Sequence, residues 1–129
     1  MPNPVIHFEI MSKDADALAD FFRKAFEWDI AGAFPGTGAG DVPKYLIVRP
    51  TGEDFPERCI NGGIGEVPAG YDGHVTFYIA VDDVGEALEK VESLGGKRMM
   101  GPDQVPGGPI IGLFTDPQGH TIGLVKPEM

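Results

Sequence analysis

The chain has one cysteine, Cys59, among its 129 residues. No disulfide can form within it, and nothing in its cysteine usage supports export to an oxidising compartment. Basic residues are scarce, with 10 Lys and Arg against 20 Asp and Glu and a formal net charge of −10. A surface of that sign repels nucleic acid and anionic membranes, and no Lys/Arg cluster interrupts it, so neither is expected as a partner. No apolar run approaches the roughly 18 residues needed to span a bilayer. The opening stretch "MPNPVIHFEI" lacks the basic and long apolar regions of a secretory signal, so a cytoplasmic location is the default expectation. What the chain has in plenty is turn formers, 19 glycines and 12 prolines, which imply many bends between short strands.

At this length one domain is expected, since two independent cores would not fit. "VIHFEIM" reads as a strand, with His7, Glu9 and Met11 on one face and Ile6, Phe8 and Ile10 on the other. "SKDADALADFFRKAFEW" reads as a helix with Ser12 or Asp14 as its cap. Its Leu18, Phe21, Phe22, Ala25 and Phe26 recur at helical spacing and make one broad apolar face. A Pro-bounded loop covers residues 31 to 43, followed by strands at "KYLIVRP" and around "CINGGIGEV". After "PAGYDG" the pattern starts again: strand "HVTFYIAV", helix "DDVGEALEKVESLGG" ending on glycine, strand "IIGLFTD", turn "PQGH" and strand "TIGLVKP".

The second half therefore repeats the first. A shift of about 69 to 70 residues lays His7-Phe8-Glu9 over Thr76-Phe77-Tyr78 and Leu18 over Leu88. Each unit is of β-α-β-β type, with room for an extra strand in the loop at residues 31 to 43. Module one covers about residues 1–65, a linker about 66–73, and module two about 74–129. Helices on one face of each small sheet leave the other face to be shared or wet, so two units can curl into a cup. By alternation the inward residues are His7, Glu9 and Met11 from one unit, and His74, Thr76 and Tyr78 from the other.

The stretches "IHFEIMSKDADALADFF", "GHVTFYIAVDDVGEALEKVESLGG" and "GLFTDPQGHTIGLV", in this order and spacing, resemble the vicinal oxygen chelate (VOC) superfamily of glyoxalases, bleomycin-resistance proteins and dioxygenases. The resemblance covers nearly the whole chain. It implies an α+β fold of two tandem βαβββ-type modules forming a curled sheet cup with helices outside, and a homodimer. Enzymes of that superfamily commonly hold a divalent metal at four positions, which fall here on His7, about Gly62, Thr76 and about Gly123. Only His7 is a good ligand, so the usual metal centre is expected to be absent and no cofactor is expected. His7, Glu9 and His74 contain the ingredients of a two-histidine, one-carboxylate metal site and form the displaced-ligand alternative.

The expected function is capture of a small organic molecule in the cup. If the protein is an enzyme, lyase or isomerase chemistry beside a carbonyl suits the groups, with His7 as base, Glu9 as its orienter, and Tyr78 or Thr76 as donor to a developing oxyanion. Asn61, His74 and Tyr45 complete the expected ligand contacts, and the glycines of "INGGIG" admit a close neighbour or a flat ligand. The alternatives are a drug-sequestering protein of the bleomycin-resistance kind and a divalent-metal glyoxalase or dioxygenase with displaced ligands. His120 in "DPQGH" reads as turn chemistry with Asp116, Pro117 and Gly119.

Overall fold

The structure is a computed structural model that describes residues 2–34, 37, 38, 43–49 and 59–127. Part of the loop read at residues 31 to 43, and all of the turned region "TGEDFPER", lie outside the described residues. The described chain forms eight strands and two helices. Two compact units divide it: His7 to Val75, and the residues up to Ile6 together with those from Thr76 on.

The first unit holds most of β1 (Val5–Ser12), then α1 (Ala15–Phe26), β2 (Asp29–Ala33), β3 (Tyr45–Arg49) and β4 (Asn61–Glu66). Its strands are ordered β2-β3-β4-β1, with β4 parallel to β1 and the other pairs antiparallel. Asp14 starts α1 by accepting from the Ala17 amide at 3.0 Å, and Arg23 and Lys24 sit in the last turn, where the helix dipole favours cations. Ala15 and Ala19 are fully buried, and these small residues let α1 lie close against Ile30, Leu46, Val48 and Ile64. The apolar face is narrower than its sequence pattern predicts. Leu18 and Phe22 pack inward, whereas Phe21 and Phe26 are 57% and 62% exposed. Their rings instead meet Phe22 and Trp28 at the helix surface.

The second unit repeats the plan as β5 (His74–Ala80, from Thr76 on), α2 (Val84–Ser93), β6 (Lys97–Gln104), β7 (Ile110–Thr115) and β8 (Thr121–Lys126). Its order is β5-β8-β7-β6, again with the last strand parallel to the first. Both modules are thus βαβββ: β2 runs into the loop where an extra strand was given room, and β6 is a strand that the sequence pattern did not mark. Asp83 caps α2 by accepting from Glu86 N at 2.9 Å, and Gly95 just beyond the helix takes φ +101. Val84 and Leu88 bury against Phe114 and Leu124. On the opposite face Tyr78, Leu113 and Val125 form a second cluster, which takes Ile6 as well. Ile6 therefore leaves the Phe8–Ile10 side to which alternation assigned it. Asn3 and Pro4 follow, bonding to the carbonyl and amide of Ala80 at 3.0 and 2.9 Å.

Candidate active site

The polar residues of interest in the first unit share the sheet face away from α1. Phe8 and Ile10 pack on the helix side, so β1 turns His7, Glu9 and Met11 to the other. Leu46 and Val48 do the same on β3 and leave Tyr45 opposite. On β4, Ile64 is core, which puts Gly63 and Gly65 on the face that carries His7.

Strand order decides what Tyr45 can touch. β4 lies between β3 and β1, so Tyr45 must reach across a whole strand, a span of about 9–10 Å between backbones. It does so because β4 is bare there. A Cβ on Gly63 would stand 2.1 Å from the Tyr45 Cζ and Oη, and one on Gly65 would stand 2.8 Å from the ring. The tyrosine ring lies over these glycines, stacked on His7 with centroids 6.5 Å apart and planes 18° apart. Its hydroxyl meets His7 Nε2 at 2.9 Å and donates to Glu9 Oε1 at 3.1 Å.

From the other side, His74 Nε2 approaches Glu9 Oε2 at 3.4 Å. The other ring nitrogen of His74, Nδ1, is 2.6 Å from the Tyr71 hydroxyl. Counting protons orients the chain. A phenol has one proton, and when Tyr45 donates it to the carboxylate, His7 must present Nε2–H to the phenol oxygen. Likewise His74 presents Nε2–H to Glu9 and accepts from Tyr71 at Nδ1. Donors thus converge on Glu9, whose residue surface is only 7% exposed. Charge-assisted hydrogen bonds of this kind make a buried carboxylate tolerable.

Burial holds the His7 imidazole below its ordinary range, with Glu9's charge as the smaller, opposite pull. A histidine lowered in the fold binds fewer protons there than in the unfolded chain. Its stabilising share is complete above the ordinary value of about 6.5 and is lost as pH falls through the folded value. Melting temperature should therefore drop as pH falls below about 6.5, and His7→Gln should flatten that part of the curve. Equal slopes in both proteins by thermal scanning would contradict the assignment.

The structure brings His7, Glu9 and His74 together, though His74, which the sequence pattern assigned to the second module, lies in the same unit as the other two. Tyr45, whose register the sequence left open, is the residue that joins His7 to Glu9. Asn61 is exposed and pairs in register with His7. Thr76 is buried as expected, but its hydroxyl donates to the Thr121 carbonyl at 2.5 Å. In this arrangement its single proton is held by the backbone. Tyr78 is 5% exposed in the second unit's apolar cluster, its ring against Gly123. Tyr71 was missed, because its stretch read only as a linker; the signal was an aromatic three residues before a histidine in a glycine turn. His120 is turn chemistry, its amide and ring held by Asp116.

The metal positions implied by the family do not fit a metal here. Gly62 faces α1 rather than the His7 side, and a Cβ on it would meet the Phe8 ring at 2.1 Å. Gly123 is covered by Tyr78, at 2.5 Å from such a Cβ, and the Thr76 hydroxyl is engaged. Among the described residues no group of three His, Cys, Asp or Glu side chains is placed to hold a metal ion, the set His7, Glu9 and His74 included.

Two βαβββ modules, each with its last strand parallel to its first, define a class of α+β folds. The sequence matches the Glyoxalase/Bleomycin resistance protein/Dioxygenase superfamily over residues 5–124, and the chain belongs to that family. It is 28% identical over 118 residues to a glyoxylase-like domain-containing protein of Didymella fabae, covering 88% of this chain and 85% of that one. It is 30% identical over 124 residues to the anthracycline biosynthesis protein DnrV of Streptomyces peucetius, covering 92% of this chain and 45% of DnrV. Among solved structures, methylmalonyl-CoA epimerase from Mycobacterium tuberculosis superposes with a TM-score of 0.66 at 12% identity, over 97% of this chain and 88% of that one. At that identity the likeness establishes the fold. Among the described residues, no helix is long and apolar enough to cross a membrane.

Proposed function

We propose that the protein binds a small carbonyl compound against the sheet face carrying His7, Glu9 and Tyr45, and moves a proton at the carbon beside that carbonyl. The observation that carries this reading is the Tyr45 hydroxyl, held between His7 Nε2 and Glu9 Oε1 at 2.9 and 3.1 Å. His7, whose burial disfavours the charged imidazolium, takes the proton at Nδ1, its Nε2–H staying on the Tyr45 oxygen. The electron pair of the broken C–H bond passes into the carbonyl as an enolate. The imidazolium that forms is stabilised by the Tyr45 oxygen and, through it, by the Glu9 carboxylate. Return of the proton to another carbon, or to the other face of the same carbon, completes an isomerisation. The acid–base work rests on side chains, with no step through a metal.

Hydroxyacetone, dihydroxyacetone and the hemithioacetal of methylglyoxal with 2-mercaptoethanol serve as probes. Titration into isotopically labelled protein should shift the amide signals of His7, Glu9, Gly63 and Tyr45 first, with equal affinity before and after chelator treatment. Shifts confined to other surfaces would overturn the location. Affinity lost on chelation and restored by Ni or Zn would overturn the metal-independent chemistry.

A further inference from the structure

The polar chain does not stop at Glu9. His74 opens β5, and the turn before it places Tyr71 within 2.6 Å of the His74 ring. That turn is pressed onto the end of β1 at Gly73, which takes φ +102 and where a Cβ would stand 2.2 Å from the Met11 carbonyl oxygen. Lys13 Nζ and Asp72 Oδ1, 3.0 Å apart, tie the same turn to the chain leaving β1. Exposure rises in steps along the chain, from Glu9 at 7% to Tyr71 at 37%, with the His74 side chain at 12% between them. A buried carboxylate that faces a proton-transfer site needs a route by which protons reach it, and here hydrogen-bonded steps lead outward from Glu9 Oε2 to His74 and then to Tyr71.

We propose that His74 is the proton port of the site and Tyr71 its positioning residue. The inference rests on the proton-transfer reading above. Tyr71 donates to Nδ1 and so fixes His74 in the Nε2–H form, aimed at Glu9. From this form the first step runs inward: Nε2 gives its proton to the Glu9 carboxylate as Nδ1 gains one from solvent. The second step runs outward, the Glu9 carboxyl returning a proton to the bare Nε2 as Nδ1 releases its own, so that each cycle exchanges one proton of the site with solvent. The total number of protons is conserved at each step, and no co-reactant is needed. The 3.4 Å separation of His74 Nε2 from Glu9 Oε2 is at the long end for a hydrogen bond, as such contacts often are before a ligand closes the site.

Two measurements on the full chain test this. At pH 8, nitrogen chemical shifts should show His74 as the Nε2–H tautomer, and Tyr71→Phe should convert it to a mixture. A dominant Nδ1–H form in the wild type, or unchanged shifts in Tyr71→Phe, would overturn the positioning role. The second is deuterium uptake by the three carbonyl probes in D2O. Wild-type uptake should be independent of buffer concentration. In His74→Gln it should fall at least tenfold and recover as imidazole is added. Wild-type uptake with an equally fast, imidazole-insensitive His74→Gln would overturn the port and leave the proposed function standing. No uptake of any probe by the wild type would overturn that function and the port with it.

Discussion

His7→Gln should slow proton transfer at the carbonyl probes by about 10²- to 10⁴-fold, the usual share of a positioned general base. Glutamine keeps an N–H that can be offered to the Tyr45 oxygen, so the hydroxyl can still donate to Glu9 and the site should hold its shape. Probe affinity should then change little, and the loss should appear in kcat rather than KM. His7 is singled out because its Nε2 lies 2.9 Å from Tyr45 Oη and because burial lowers its affinity for protons, which leaves it in the proton-accepting form at neutral pH. A rate within threefold of wild type would remove His7 from the chemistry. Weaker binding at an unchanged rate would make it a ligand contact only.

The second large effect separates two neighbouring glycines. A Cβ at Gly62 or at Gly63 would stand 2.1 Å from an aromatic ring, that of Phe8 or of Tyr45. The consequences should differ because the two rings differ in freedom. Phe8 is walled by Trp28, 5.5 Å away between ring centroids, and by the α1 core. It has nowhere to go, so Gly62→Ala should cost about 1–3 kcal/mol or more, as overpacking does. That is roughly 4 °C of melting temperature for each kcal/mol in a chain of this size. Tyr45 is half-buried on the open face and can swing off β4. Gly63→Ala should therefore cost less stability but withdraw the hydroxyl from His7 and Glu9, and with it most of the activity. Thermal scans alongside rate measurements check the pair. The reverse pattern, a silent Gly62→Ala with Gly63→Ala fully active, would mean that the rings do not lie as described.

Much of this architecture was legible in the sequence, and the limits have physical causes. The two-fold repeat, the Asp14 cap and the glycine-ended second helix are local signals, and each stands where the pattern put it. The common face of His7, Glu9 and His74 follows from strand alternation together with the module plan. The family position on this strand came out only as about Gly62, because a slip of one residue in a strand exchanges its faces and "INGGIG" has few side chains to fix the register. Tyr45 was harder. Its contact with β1 depends on β4 inserting between β3 and β1, a parallel pairing of residues more than fifty positions apart that no local period encodes. Thr76 faced inward as predicted, but only the β5–β8 register, which sets Tyr78 beside Gly123, shows that the Thr121 carbonyl takes its proton. Phe21 and Phe26 fit the helical period but lie beyond the stripe that α1 buries, because Ala15 and Ala19 draw a narrower face onto the sheet.

The central claim is that this face moves a proton at a carbon beside a carbonyl. The most direct measurement is proton NMR of hydroxyacetone, dihydroxyacetone and the methylglyoxal hemithioacetal in D2O with catalytic amounts of the wild-type protein. The account predicts loss of the signal from the carbon-bound hydrogen next to the carbonyl in at least one probe, faster than in buffer and abolished in Tyr45→Phe. A signal that persists in all three, with the probes nevertheless bound at the His7–Tyr45 face, would contradict it and make the protein a binder rather than a catalyst.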